Sequence, residues 1–172
     1  MNILLKRIIA VVLAALMVMA MVSCSGDDDT AADIDNAQSD SSSDSKLTAD
    51  VKEFFDEVYL CFNEHRFEDY LTYLNVTDDT VRANMLGSFN NAIKYYETVC
   101  EIEDIAVKQF DDGVINVAIS LINTSTTISD TESAPVKIRE IIYYNLEQNG
   151  DSYTVKNFAS GGSQLIQEQA AE

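Results

Sequence analysis

The sequence predicts an α+β domain in which three N-terminal helices pack on a curved, four-stranded antiparallel sheet. Three observations carry this. Apolar residues recur at three- and four-residue steps in the first part of the domain. The apolar period then shortens to two, as along Ile115, Val117, Ile119 and Leu121. Two glycine-containing dipeptides, Asp112-Gly113 and Asn149-Gly150, then separate runs of strand-forming residues, which marks hairpins and not crossovers.

The first helix is capped at Thr48, with Asp50 and Glu53 in its first turn, where carboxylates meet the unpaired N–H groups. Val51, Phe54, Phe55, Val58 and Phe62 give it one apolar face to about Asn63. A shorter second helix carries Phe67, Tyr70, Leu71 and Leu74. Thr77 caps a third, in which Val81, Met85, Phe89, Ala92, Ile93 and Tyr96 share a face.

Strands follow near 98–110, 114–123, 135–147 and 152–159, joined as sequential hairpins. The polar stretch 124–134 (TSTTISDTESA) reads as a long loop that Pro135 ends. The domain therefore spans 47–160, and 161–172, which opens on Gly161-Gly162, reads as a frayed tail.

Ahead of the domain, Lys6 and Arg7 precede an uninterrupted apolar run over 8–22 that closes on Ser23-Cys24. Basic, apolar and small residues in that order form a secretory signal, and the run is shorter than the ~20 residues that span a bilayer. Met21-Val22-Ser23-Cys24 resembles a bacterial lipobox, with Met21 where leucine is usual. That resemblance implies cleavage after residue 23 and a diacylglyceryl group on Cys24; a plain signal cut near Ala20 and an uncleaved anchor are the alternatives. Residues 25–46 contain seven Asp and no aromatic residue, too little apolar surface to offset the entropy of ordering. This linker would reach ~25 Å as a flexible coil, enough to lift a domain clear of the headgroups.

The formal charge of −18 becomes −20 once Lys6 and Arg7 leave with the signal. So acidic a chain is unsuited to nucleic acid or to anionic headgroups, so attachment to a membrane has to come from the lipid. Cys61 and Cys100 lie among apolar neighbours, as buried thiols or, less readily, as one disulfide. Neither has a His or Cys at metal-binding spacing, and no metal or cofactor is expected.

Three segments carry a family resemblance: His65-Arg66-Phe67-Glu68-Asp69-Tyr70-Leu71, Asp111-Asp112-Gly113-Val114-Ile115-Asn116-Val117 and Asn149-Gly150-Asp151-Ser152-Tyr153-Thr154-Val155. In this order they resemble the NTF2-like (cystatin-like α+β) superfamily, and its small bacterial lipoproteins in particular, with Tyr153 where tryptophan is usual. The resemblance implies a cone of sheet and helices. It leaves function open, since the superfamily includes isomerases, dehydratases, binding modules and assembly subunits.

No catalytic motif is present in the sequence. His65 is the only histidine and falls in an interhelical connection, where an exposed role is expected. Glu140 is the unusual residue. It shares a strand face with Val136, Ile138, Ile142, Tyr144 and Leu146, where desolvation would raise its pKa. Glu140, Tyr59 and Tyr70 form the candidate pocket, although a curling sheet could also carry Glu140 to the rim. The expectation is a lipoprotein on the outer face of a cell membrane, or on an outer membrane in a two-membrane host. Its domain would bind a small ligand or an envelope protein without catalysis; the alternative is a small isomerase or lyase using Glu140 and a tyrosine.

Overall fold

A computed structural model describes residues 43–110, 113–130 and 133–166. The signal segment, Cys24, the linker up to residue 42 and residues 167–172 lie outside the described residues. The elements run α1 (Ser43–Asn63), α2 (Phe67–Tyr73), α3 (Asp79–Ala92), β1 (Tyr96–Gln109), β2 (Val114–Thr127), β3 (Val136–Asn149) and β4 (Ser152–Ile166). The strands pair antiparallel in chain order, as sequential hairpins require.

The helices cover one face of the sheet, and the core lies between. Val51, Phe55, Val58 and Cys61 of α1 are fully buried, following the three- and four-residue spacing of their sequence. They meet Ile115, Val117, Ile119 and Leu121 of β2 and Ile142, Tyr144 and Leu146 of β3. Each large apolar side chain buried this way contributes about 1.5–3 kcal/mol. The opposite face of the sheet meets solvent, with Val99, Ile141 and Tyr143 exposed. Bulges in β1 beside Glu103, and in the β3–β4 pairing beside Ile141 and Asn145, curve the sheet around the helices.

Two helix ends are closed in the same way. After α1, Arg66 N–H donates to Cys61 O (2.8 Å) and His65 N–H to Phe62 O (3.0 Å), while His65 adopts φ 60°. After α2, Val76 N–H donates to Leu71 O and Asn75 N–H to Thr72 O, with Asn75 at φ 54°. Both are Schellman motifs, which place a left-handed residue just beyond the helix. Asn75 Nδ2 also donates to Val155 O (3.1 Å), tying α2 to β4. Asn63 performs a similar task for β1, accepting from Cys100 N–H (2.8 Å) and donating to Cys100 O (2.9 Å).

Several boundaries differ from those expected. α1 begins at Ser43, so 43–46 are helical and Thr48 lies inside the helix. Asp78, not Thr77, caps α3, its Oδ1 accepting from Val81 N–H at 2.9 Å. Tyr96 belongs to β1 and not to the third helix. β2 continues to Thr127, so part of the expected polar loop is strand. β4 reaches Ile166, so 161–166 extend the strand beside β3 and are not frayed. Between β1 and β2, Phe110 and Val114 bracket three residues, with Gly113 at φ 84°, where a two-residue turn was expected. The last turn centres on Gly150-Asp151, one residue later than expected, because Asn149 pairs with Ser152. Cys61 and Cys100 are free, which settles the choice against a disulfide.

Candidate functional site

Where the C-terminal half of β2 pairs with the N-terminal half of β3, the inner face changes from apolar to polar. Leu121, Asn123 and Ser125 succeed one another on that face of β2, with Glu140 opposite Leu121 on β3. Asn123 is 5% exposed and Glu140 only 2%. The helices lay aromatic rings over them: Tyr59 and Phe62 from α1, Phe67 and Tyr70 from α2, Phe89 from α3. Phe62 stands nearly perpendicular to Phe89 (88°, 5.6 Å), and Phe67 lies 5.0 Å from Phe89. What remains between rings and sheet is a cavity of about 80 Å³.

Glu140 and Asn123 are its polar floor. Asn123 Nδ2 donates to Glu140 Oε2 at 3.2 Å, and the Ser160 hydroxyl of β4 engages the same carboxyl group. Desolvation nevertheless dominates those two hydrogen bonds and pushes the Glu140 carboxyl up to about 7. Asn123 Oδ1 has no partner, the only such buried side-chain atom among the described residues. An amide oxygen so placed forgoes a hydrogen bond at a cost of about 1–3 kcal/mol. Ser125 Oγ and Thr98 Oγ1, 2.9 Å apart on the same wall, share one hydrogen bond.

The tyrosines play different parts. The Tyr59 and Tyr144 hydroxyls are 2.6 Å apart and bond to each other. Burial pushes the Tyr59, Tyr70 and Tyr144 phenols and the Cys100 thiol up, so all four stay neutral. His65 is exposed yet lines the cavity, so the cavity reaches the surface there. The left-handed residue that closes α1 is thus also the residue at the mouth.

The structure brings Glu140, Tyr59 and Tyr70 to one cavity. The carboxyl's hydrogen bonds, however, run to Asn123 and Ser160 and not to a tyrosine. Asn123 was missed because it abuts the stretch read as a loop. Its signal was the continued alternation of Leu121, Asn123 and Ser125 among β-branched threonines. A wider groove of about 1010 Å³ lies outside, between α1, α2 and the β3–β4 turn. It is open and polar, and its Arg66 is already held by Glu57, Glu64 and Asp69. Among the described residues no cluster of His, Cys, Asp and Glu could hold a metal ion.

Comparison with known proteins gives a fold. No protein-family model matches the sequence, and no curated protein does. Among solved structures, ActVI-ORFA from Streptomyces coelicolor superposes at a TM-score of 0.53 and 14% identity, covering 67% of this chain and 96% of that one. Aln2 from another Streptomyces superposes at 0.52 and 11% identity, covering 67% and 89%. Identities this low speak to architecture alone. Helices in front of a curved antiparallel sheet in hairpin order, shared with these proteins, give this chain the NTF2-like, cystatin-like α+β fold.

Proposed function

We propose that this protein is a lipid-anchored, extracytoplasmic binding protein whose NTF2-like domain holds a small ligand in its cavity without catalysis. The observation that carries the binding role is the Asn123 Oδ1 without a protein partner beside Glu140, in a chamber walled mainly by aromatic and aliphatic side chains. Asn123 lines the cavity, and an acceptor there without a protein partner can be met by a ligand's donor. Catalysis by carboxylate and tyrosine is the weaker reading, because the Tyr59 hydroxyl is engaged by Tyr144 and the carboxyl by Asn123 and Ser160.

The anchor is supported by the sequence: a basic start, an apolar run and Ser23-Cys24, followed by an Asp- and Ser-rich spacer. Two acyl chains hold a protein durably where one holds it marginally, at about 0.8 kcal/mol for each buried methylene. Among the described residues no helix is long and apolar enough to cross a membrane.

The test has two halves. Full-length protein expressed in a bacterial host is fractionated and its N-terminus read by mass spectrometry. An acylated Cys24 in the membrane fraction is expected, and Cys24→Ala should release the protein. An unmodified chain, or one retaining residues 1–23, refutes the anchor. A library of small fragments, each of a few heavy atoms, is then screened by thermal stabilisation, which reports any molecule that binds the folded state. Stabilisation that disappears in Asn123→Leu is expected, and its persistence there refutes the cavity as the site.

A further inference from the structure

We infer that the cavity takes a small primary ammonium ion, a short alkylamine whose charged end sits between Glu140 and Asn123. The inference rests on the cavity being a ligand site, and it adds the chemistry of the ligand.

The polar groups of the chamber decide the sign. Above about pH 7 its floor offers an ionised carboxylate and an amide oxygen with no protein partner, both acceptors. The hydroxyls of Thr98 and Ser125 bond to each other, and among the described residues neither Lys nor Arg lines the chamber. An anion would meet the like charge of the carboxylate and is disfavoured. A neutral alcohol satisfies Asn123 Oδ1 and leaves the ionised Glu140 desolvated and without a counter-charge. An ammonium ion answers both, because it carries charge and several donors on one atom. Reach is not a difficulty. Asn123 Nδ2 already lies 3.2 Å from Glu140 Oε2, so the oxygen on the same amide carbon is close to the carboxylate.

The walls and the size agree. Tyr59, Phe62, Phe67, Tyr70 and Phe89 surround the floor, and aromatic faces attract a desolvated cation as well as the alkyl chain it carries. The volume of about 80 Å³ is near half of the roughly 150 Å³ that accommodates benzene, which limits the guest to about four heavy atoms. Outside the cavity, a formal charge of −18 raises the local concentration of cations.

Occupancy and protonation are coupled. The carboxyl is pushed up to about 7 in the empty domain, so a cation draws it to the ionised form and releases a proton. Tyr59 of α1, Tyr70 of α2, Tyr144 of β3 and Cys100 of β1 face the same region and stay neutral. His65 stands exposed at the mouth.

The experiment is titration calorimetry on the detergent-solubilised full chain at pH 8, with n-propylammonium, 1-propanol, tetramethylammonium and acetate at matched ionic strength. Saturable n-propylammonium binding in the range of roughly 0.1–10 mM is expected, as about four heavy atoms allow. It should be at least tenfold tighter than 1-propanol, with no acetate binding. Glu140→Gln, which keeps the shape, should remove the tenfold preference. Asn123→Leu is the second variant should the first not unfold cooperatively, and it should weaken n-propylammonium tenfold or more. Equal affinity for 1-propanol and n-propylammonium overturns the inference and leaves the cavity as a ligand site. Equal affinity for tetramethylammonium, which lacks an N–H, overturns the role of Asn123 Oδ1. If no probe binds saturably, the reading of the cavity as a site falls with it.

Discussion

Replacing Glu140 by glutamine should stabilise the protein above neutral pH and do almost nothing near pH 4. The group is 2% exposed and its carboxyl rises from 4.5 to about 7 on folding. A raised carboxyl means that the folded state holds its proton where the unfolded state has lost it. Between pH 4.5 and about 7 the native chain therefore binds more protons, and wild-type stability falls as pH rises. At about 1.4 kcal/mol for each factor of ten in proton affinity, the loss approaches about 3 kcal/mol and levels off above about pH 7. Glutamine cannot ionise, so this slope disappears. Urea unfolding of both proteins at pH 4, 5.5, 7 and 8 isolates the effect, because every other titrating group is common to the two. The stability difference should grow from near zero to about 3 kcal/mol, on the order of 10 °C in melting midpoint. A difference that does not vary with pH refutes the desolvated carboxyl. A variant less stable than wild type at pH 8 refutes it more directly, since it would mean that the charge is compensated by a partner other than Asn123 and Ser160.

Two structural predictions concern the ties that hold helices to sheet. Asn63→Ala removes both hydrogen bonds to the Cys100 backbone and should cost about 1–3 kcal/mol by urea unfolding, with faster amide exchange at Cys100. No loss of stability would mean that solvent satisfies that backbone equally well. Asp78→Ala removes the cap of α3 and should cost about 1 kcal/mol, whereas Thr77→Ala should cost less than half of that. The reverse order would restore Thr77 as the cap.

The elements legible in the sequence are those where periodicity and burial agree. Val51, Phe55 and Val58 announce a helix face and are fully buried, and Ile115, Val117, Ile119 and Leu121 announce a strand face and are buried too. Glu140 was legible by the same rule, since period two assigns it to the inner face whatever its polarity. Polar composition misled where the ladder of a neighbouring strand holds the backbone. Thr124 to Thr127 look like loop yet pair with Tyr96 to Val99. Gly161-Gly162 look like the start of a tail yet form a bulge opposite Ile141. A Cβ on Gly161 would come within 2.5 Å of the Tyr143 ring, and Gly162 has φ 118°, so both glycines serve a strand that continues. The left-handed His65 and Asn75 carry no apolar signal, because Schellman closure depends on hydrogen bonds along the backbone.

Why the inner face should hold Glu140 follows from comparing terms. A domain of this size has a net stability of about 5–15 kcal/mol, and a desolvated carboxylate consumes about 3 kcal/mol of it above neutral pH. Asn123 adds an amide oxygen with no partner. Leucine at both positions would fill the chamber and remove both terms, as it does at Leu121 and Leu146 on the same sheet. The two costs are also spatially linked, since the β2 side chain that donates to Glu140 is the one that leaves an acceptor free. Independent packing defects would have no reason to meet at the floor of one cavity, beneath rings drawn from all three helices. A single bound group that donates to one and neutralises the other would offset both costs, which is the reason for proposing a site there and not two tolerated faults.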